Sequence, residues 1–130
     1  MLEGKRIIVT GSARGMGEAS LKAYVEAGAN VVGMDVSDEA GESVSNKANN
    51  AGPGKCSYIH VDVSKKSSVE ESFTKAVEVL GGLDVLAHPA AIQRASNASD
   101  VSVEDWDLMF SINVKAVSYT HLTLPTICSV

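Results

Sequence analysis

Hydrophobic positions along the chain fall into two rhythms that alternate. Short, nearly continuous apolar runs, Ile7-Ile8-Val9 and Val31-Val32-Gly33-Met34, have the composition of strands buried on both faces of a parallel sheet. Tyr58-Ile59-His60-Val61-Asp62-Val63, with its β-branched and aromatic content, predicts a third strand, and Leu83-Asp84-Val85-Leu86-Ala87 a fourth. Between these runs apolar residues recur at helical spacing. One set is Leu21, Tyr24, Val25 and Gly28, a second Ala40, Val44, Ala48 and Ala51, a third Val69, Phe73, Ala76, Val77 and Leu80. Gly28-Ala29-Asn30, Gly52-Pro53-Gly54 and Gly81-Gly82 supply the stops. Ser37 is a candidate cap for the second helix, and Ser64 with the Ser67-x-x-Glu70 capping box opens the third. Strands and helices alternating at these lengths predict an α/β fold, a parallel sheet with crossover helices on its faces.

Beyond the fourth run the pattern changes. Ile92 to Val101 is polar and irregular, and Ser102-x-x-Asp105 then starts a helix with Trp106, Phe110, Val114 and Val117 along one stripe. After Ala116 the stripe stops, and Ser118-Tyr119-Thr120-His121-Leu122-Thr123-Leu124-Pro125 is rich in weak helix formers and ends in proline. No repeat, linker or low-complexity segment is visible.

Composition adds limits to this picture. At 130 residues, 45% hydrophobic and 21% charged, the chain fits one soluble globular domain. A net charge of −5 with scattered Lys and Arg argues against a nucleic-acid or membrane-surface partner, which would call for clustered positive charge. Cys56 and Cys128 form neither a metal-ligand spacing nor a disulfide framework, as in a reducing cytosol. The chain enters its first strand without an export leader, and no apolar run approaches the ~20 residues of a membrane span. A cytoplasmic, soluble protein that binds no metal is therefore expected.

The candidate chemistry lies between the first two strands. Ile7-Ile8-Val9 feeds into Thr10-Gly11-Ser12-Ala13-Arg14-Gly15-Met16-Gly17, a glycine turn followed by a helix. Glycines there let the backbone turn tightly and approach a pyrophosphate, while the free amides and positive dipole end of the helix face its charge. Such a string alone is a weak signal, because glycine turns also serve as mere connections. Asp35 strengthens it: it ends the second strand, 20 residues beyond Gly15, where a carboxylate can accept from an adenosine ribose.

With these elements in place the sequence resembles the short-chain dehydrogenase/reductase family over nearly all of residues 3 to 117. The matching motifs are Thr10 to Gly17, Asp35, the Asp62-Val63 pair closing the third strand, and Asn113 within Ser111-Ile112-Asn113-Val114-Lys115. The resemblance implies a Rossmann-like, doubly wound sheet, here incomplete at about four strands. It implies that Gly11, Ser12, Arg14, Gly15, Met16 and Gly17 hold a pyrophosphate, Asp35 the adenosine ribose, and Asp62 and Val63 the adenine. It also implies that Asn113 bends its helix and holds a water in a proton relay. On the residues alone, Asp62 can instead cap the strand end with its carboxylate on nearby amides, and Asn113 can simply face water.

One motif departs. Where the family reads Asn-Asn-Ala-Gly after the fourth strand, this chain reads His88-Pro89-Ala90-Ala91. Pro89 donates no backbone hydrogen bond and His88 replaces an amide with an imidazole, so bonding to the central sheet must differ, while Ala90 and Ala91 are small enough to lie against a cofactor. A structural role for His88 is preferred over that of a catalytic base. Charge points to NAD rather than NADP, because Asp35 accepts from a ribose hydroxyl but repels a 2′-phosphate. Arg14 is the counter-evidence, since a guanidinium in the turn can pair with that phosphate.

The family's catalytic Tyr-x-x-x-Lys is absent: the residues four places after Tyr24, Tyr58 and Tyr119 are Gly28, Asp62 and Thr123. The expectation is therefore a truncated cofactor-binding domain at residues 1–116, itself inactive, whose full-length parent oxidises or reduces an alcohol or ketone and forms a homo-oligomer. Residues 117–130 resemble translated adaptor or vector sequence and are expected to be an artefactual tail. Loss of a fifth strand leaves an unpaired edge on the fourth, so a marginally stable chain is expected. The alternatives are a non-catalytic dinucleotide-binding module and a nucleotide-dependent enzyme such as a methyltransferase; Asp62-Val63 and Asn113 speak against the latter.

Overall fold

Ile7, Ile8 and Val9 are all buried because their strand, β1 (Arg6–Thr10), runs inside a parallel sheet with both faces covered. The computed structural model describes residues 1–89, 102–104 and 107. In chain order the further elements are α1 (Gly15–Glu26), β2 (Asn30–Asp35), α2 (Asp38–Ala51), β3 (Lys55–His60), α3 (Lys66–Leu80) and β4 (Val85–Ala87). All strand pairs are parallel, in the order β3-β2-β1-β4. The chain therefore starts in the middle, winds outward to β3, and returns to the other side of β1 as β4. That reversal opens a crevice at the carboxyl ends of β1 and β4, where ligands bind in sheets of this kind.

Side-chain alternation along the strands divides the core in two. Ile8, Val32 and Met34 face α3 and pack with Val61, Val63, Val69, Phe73 and Ala76. Ile7, Val9 and Val31 face the other way, onto Leu21 and Val25 of α1 and Val44 and Ala48 of α2. The expected helical stripes are buried or half-buried except at Ala51, which is exposed at the end of α2, and the doubly wound, Rossmann-like α/β fold is the one observed.

Boundaries differ from expectation in places. β3 begins at Lys55 and ends at His60, three residues earlier than Tyr58–Val63 would have it, because its register is dictated by β2: Asn30 pairs with Lys55 and Asp35 with His60. Lys55 is drawn in through its amide to the Ala29 carbonyl. Asp62 and Val63 thus follow the strand and do not close it. β4 is confined to Val85–Ala87. The capping box at Ser67 is not formed, since α3 starts at Lys66 and Ser67 lies inside it, with Lys65 at the cap position. Val103, Glu104 and Asp107 are helical, and the remainder of the expected helix from Ser102 lies outside the described residues, as do Ala90, Ala91, Asn113 and the 117–130 segment.

At the end of the sheet away from the crevice, Arg6 and Asp84 clamp β1 to the approach of β4. Arg6 Nε donates to Asp84 Oδ2 at 3.0 Å, Nη2 to Oδ1 at 3.0 Å, and the Arg6 amide to Oδ2 at 2.8 Å. These donors hold the Asp84 carboxyl well below the usual carboxylate range, the hydrogen bonds from the Arg6 side chain contributing most. A folded-state pKa depressed in this way adds stability above the unfolded value near 3.8 and loses it as pH falls through the lower folded value. Asp84→Asn should therefore lower the urea midpoint at neutral pH, with the gap to the unaltered protein narrowing below about pH 4. Denaturation across pH 2 to 7 checks this, within roughly the carboxylate range.

Candidate functional site

Two glycines in the turn after β1 take positive φ, Gly11 at 66° and Gly15 at 59°, a region that other residues enter only with strain. Between them Ser12 and Ala13 are buried, and the Ser12 amide donates to the Met34 carbonyl at 3.1 Å, tying the turn to β2. Arg14, extended at φ −160°, precedes the first residue of α1. Gly17 is glycine for a different reason. A Cβ there would run into the Gly11 carbonyl oxygen, so the helix can lie on the turn only without a side chain. Above Gly15 nothing stands within 4 Å of where a Cβ would be, leaving open space at the helix start. The first-turn amides of α1 have no intrahelical acceptors by helix geometry, and they lie at the carboxyl end of β1.

Asp35, half-buried at the end of β2, meets this turn directly. Its Oδ2 accepts from the Ala13 amide at 3.0 Å and its Oδ1 from the Ser37 amide at 3.0 Å. A carboxylate has about four acceptor positions, so roughly two stay available for further donors. Its backbone carbonyl accepts from the Val61 amide at 3.0 Å and from the Tyr58 hydroxyl at 2.7 Å. Arg14 is also brought to this spot: Nη2 donates to Ser37 Oγ at 3.2 Å. Ser37 does occupy the cap position of α2, but its side chain bonds no helix amide and serves Arg14 instead, a correction to the expected cap. Met16 and Val36, 76% and 60% exposed, are apolar surface in the first turn of α1 and directly after the acid.

Asp62 is engaged locally. Oδ1 accepts from the Ser64 amide at 3.1 Å and from Ser64 Oγ at 2.6 Å, while the Asp62 amide donates to Ser68 Oγ at 2.9 Å. The carboxylate thus makes the turn-capping bonds weighed as its alternative role, four residues before the first residue of α3 and not at a strand end. Val63 is buried against α3. His88 Nδ1 lies 2.7 Å from Thr10 Oγ1, a fully buried hydroxyl at the end of β1, so the imidazole that replaces the expected amide does bond to the central strand.

Sequence reasoning missed a cluster beside Asp35. Tyr58 Oη is also 2.7 Å from Asp38 Oδ1, which lies 2.7 Å from His60 Nδ1. The hydrogen bond from Tyr58, and then that from His60, draws the Asp38 carboxyl below its ordinary value. Burial, followed by the neighbouring Asp38 carboxylate, pushes the Tyr58 phenol up, so it remains a donor. Only the period-two spacing of Tyr58 and His60 on one strand face could have signalled it.

A glycine turn at a helix start, an acid bonded to it and a topological switch beside it define a doubly wound α/β protein with a crevice at the carboxyl ends of its strands, and the chain is more narrowly placed by its relatives. The family profile for short chain dehydrogenases matches residues 5–127, and the chain belongs to that family of oxidoreductases. It is 34% identical over 125 residues to oxidoreductase UcpA of Salmonella typhimurium, covering 95% of this chain and 47% of that protein. Among solved structures, a short chain dehydrogenase from Burkholderia cenocepacia in complex with NADP superposes with a TM-score of 0.89 at 29% identity, covering 98% of this chain and 52% of that one. A 3-ketoacyl-(acyl-carrier-protein) reductase from Brucella melitensis complexed with NADH gives 0.88 at 27% identity, covering 98% and 51%. The chain spans about half the length of the curated relatives it matches.

Contact between Gly17 and Gly11 has a measurable sign. At an open helix position Gly→Ala adds about 1 kcal/mol of stability. Gly17→Ala should instead lose about 1 to 3 kcal/mol through overpacking against the turn, read as a lower midpoint in chemical denaturation.

Proposed function

We propose that this chain is the NAD-holding part of a short-chain oxidoreductase whose parent moves a hydride between a nicotinamide and an alcohol or ketone carbon. The observation that carries the reading is the bond from the Ala13 amide to Asp35, because it sets the acid and the glycine turn on one crevice at the carboxyl end of the sheet. The residues present suit a dinucleotide. Gly11, Ser12, Arg14, Gly15, Met16 and Gly17 frame a diphosphate at the start of α1, and the open space above Gly15 gives it access to backbone amides. Asp35 keeps acceptor positions for ribose hydroxyls, and the exposed Met16 and Val36 give the rest of the adenosine apolar contact. When bound, the nicotinamide supplies or accepts the hydride. By family resemblance Asp62 and Val63 line the adenine side, Ala90 and Ala91 the nicotinamide side, and Asn113 serves a proton relay.

NAD is proposed over NADP because a phosphate beside Asp35 would meet a carboxylate at close range. Arg14, held on Ser37 at 3.2 Å, is the group that would favour the phosphate. A second reading is that of a dinucleotide-binding module without turnover of its own. For the parent, a small alcohol or ketone substrate, assembly as a homo-oligomer and a cytoplasmic setting belong to the same proposal. So does the division of the chain into a domain at 1–116 and a foreign tail at 117–130, for which sequencing the gene downstream of codon 116 is the test: the same tail in the native locus overturns it.

Calorimetric titration of the 130-residue chain should give tighter binding of NAD than of NADP. Asp35→Ala should weaken NAD by about tenfold to a hundredfold, the worth of hydrogen bonds to a charged group, and NADP by less. Tighter binding of NADP by the unaltered chain would overturn the cofactor assignment.

A further inference from the structure

Tyr58 pairs in register with Gly33 on the edge strand β3, yet its ring reaches across to α2. It can do so because residue 41 is glycine: a Cβ there would overlap the ring, lying 2.7 Å from Cδ1 and 2.8 Å from Cζ. Gly41 is buried in the second turn of a helix where alanine would be favoured by about 1 kcal/mol, so the vacancy at its Cα serves the tyrosine. The hydroxyl is thereby delivered to the short segment joining β2 to α2, at 2.7 Å from the Asp35 carbonyl and 2.7 Å from Asp38 Oδ1.

A phenol has one proton and two acceptors compete for it here. His60 eases the competition. An ionised carboxylate only accepts, so the 2.7 Å approach of His60 Nδ1 to Asp38 Oδ1 requires a proton on that nitrogen, and the imidazole gives Asp38 a donor besides Tyr58. The Tyr58 hydroxyl, 2.7 Å from both oxygens, shares its proton between Asp38 and the Asp35 carbonyl. That carbonyl already receives the Val61 amide from the β3 side, and Tyr58 fixes it from the α2 side. With Ala13 and Ser37 on its carboxylate, residue 35 is held from four directions, two of them serving the backbone.

We infer that Tyr58 is a positioning residue for the adenosine end of the site, holding Asp35 where it accepts from a ribose hydroxyl and so contributing to the choice of NAD over NADP, which rests on the NAD reading above. The alternative partner for the ligand, Arg14 on Ser37, sits two residues along the same segment. Release of the Asp35 carbonyl frees that segment and lessens the advantage of the carboxylate over the guanidinium.

Tyr58→Phe removes the hydroxyl and keeps the ring on Gly41. A neutral hydrogen bond is worth about 1 kcal/mol, so NAD affinity should fall about fivefold with NADP changed less than about twofold. In an Asp35→Ala background the same substitution should have no further effect on NAD, because its action passes through Asp35. Hydrogen exchange of the Ala13 and Ser37 amides should accelerate in Tyr58→Phe, with the amides of β1 unchanged; this readout needs neither ligand nor the Asp35 variant. Equal losses for NAD and NADP, an undiminished loss in the Asp35→Ala background, or unchanged Ala13 and Ser37 exchange would each overturn the inference. NAD binding that depends on Asp35 but ignores Tyr58→Phe overturns this inference alone, whereas no NAD binding by the unaltered chain overturns the cofactor reading and this inference with it.

Discussion

The hydrogen bond from the Ala13 amide to the Asp35 carboxylate joins the two parts on which the site depends. A glycine turn by itself is a connection, and an acid at a strand end is a solvated charge. Held together at 3.0 Å, with a second amide on the other carboxylate oxygen, they become a crevice with amides on one wall and acceptors on the other. Parallel pairing of β1 with β2, Thr10 opposite Met34, is what brings them within reach, since both strands then end at the same level.

Stability and chemistry are divided between the two ends of the sheet. At the amino ends of the strands the Arg6–Asp84 clamp and the Asp84 amide bonded to the Arg6 carbonyl seal the join between β1 and β4. The carboxyl ends carry crowded backbone: a helix pressed on the turn at Gly17, and β2 lacking a side chain at Gly33, where a Cβ would stand 2.6 Å from Leu21 and 2.8 Å from Ser12 Oγ. Two apolar clusters, one on each face, hold the sheet rigid enough to sustain that crowding.

At the junction after β4 this chain reads His88-Pro89. His88 takes its place against the buried Thr10 hydroxyl at 2.7 Å, so the central strand keeps a polar partner even though the side chain is an imidazole. Burial of a hydroxyl requires such a partner, and many polar groups of suitable reach can supply it. The imidazole is such a group, and Thr10 is not left without a partner.

Much of this was legible in the residues themselves. Continuous apolar runs at Ile7–Val9 and Val31–Met34 identify inner strands, three helical stripes identify the faces that cover them, and Gly11, Gly15, Gly17 and Asp35 mark the crevice, because periodicity and glycine's conformational range are local properties. Tertiary structure decided the rest. Where β3 begins follows from its register with β2, so Lys55 and Cys56 enter the strand while Asp62 and Val63 fall outside it. Ser37 gives up its cap for Arg14, and Tyr58 finds Asp35 across 23 residues of sequence through a gap at Gly41. Such partners are chosen by which backbones pack side by side, a matter of long-range contact that no local spacing encodes.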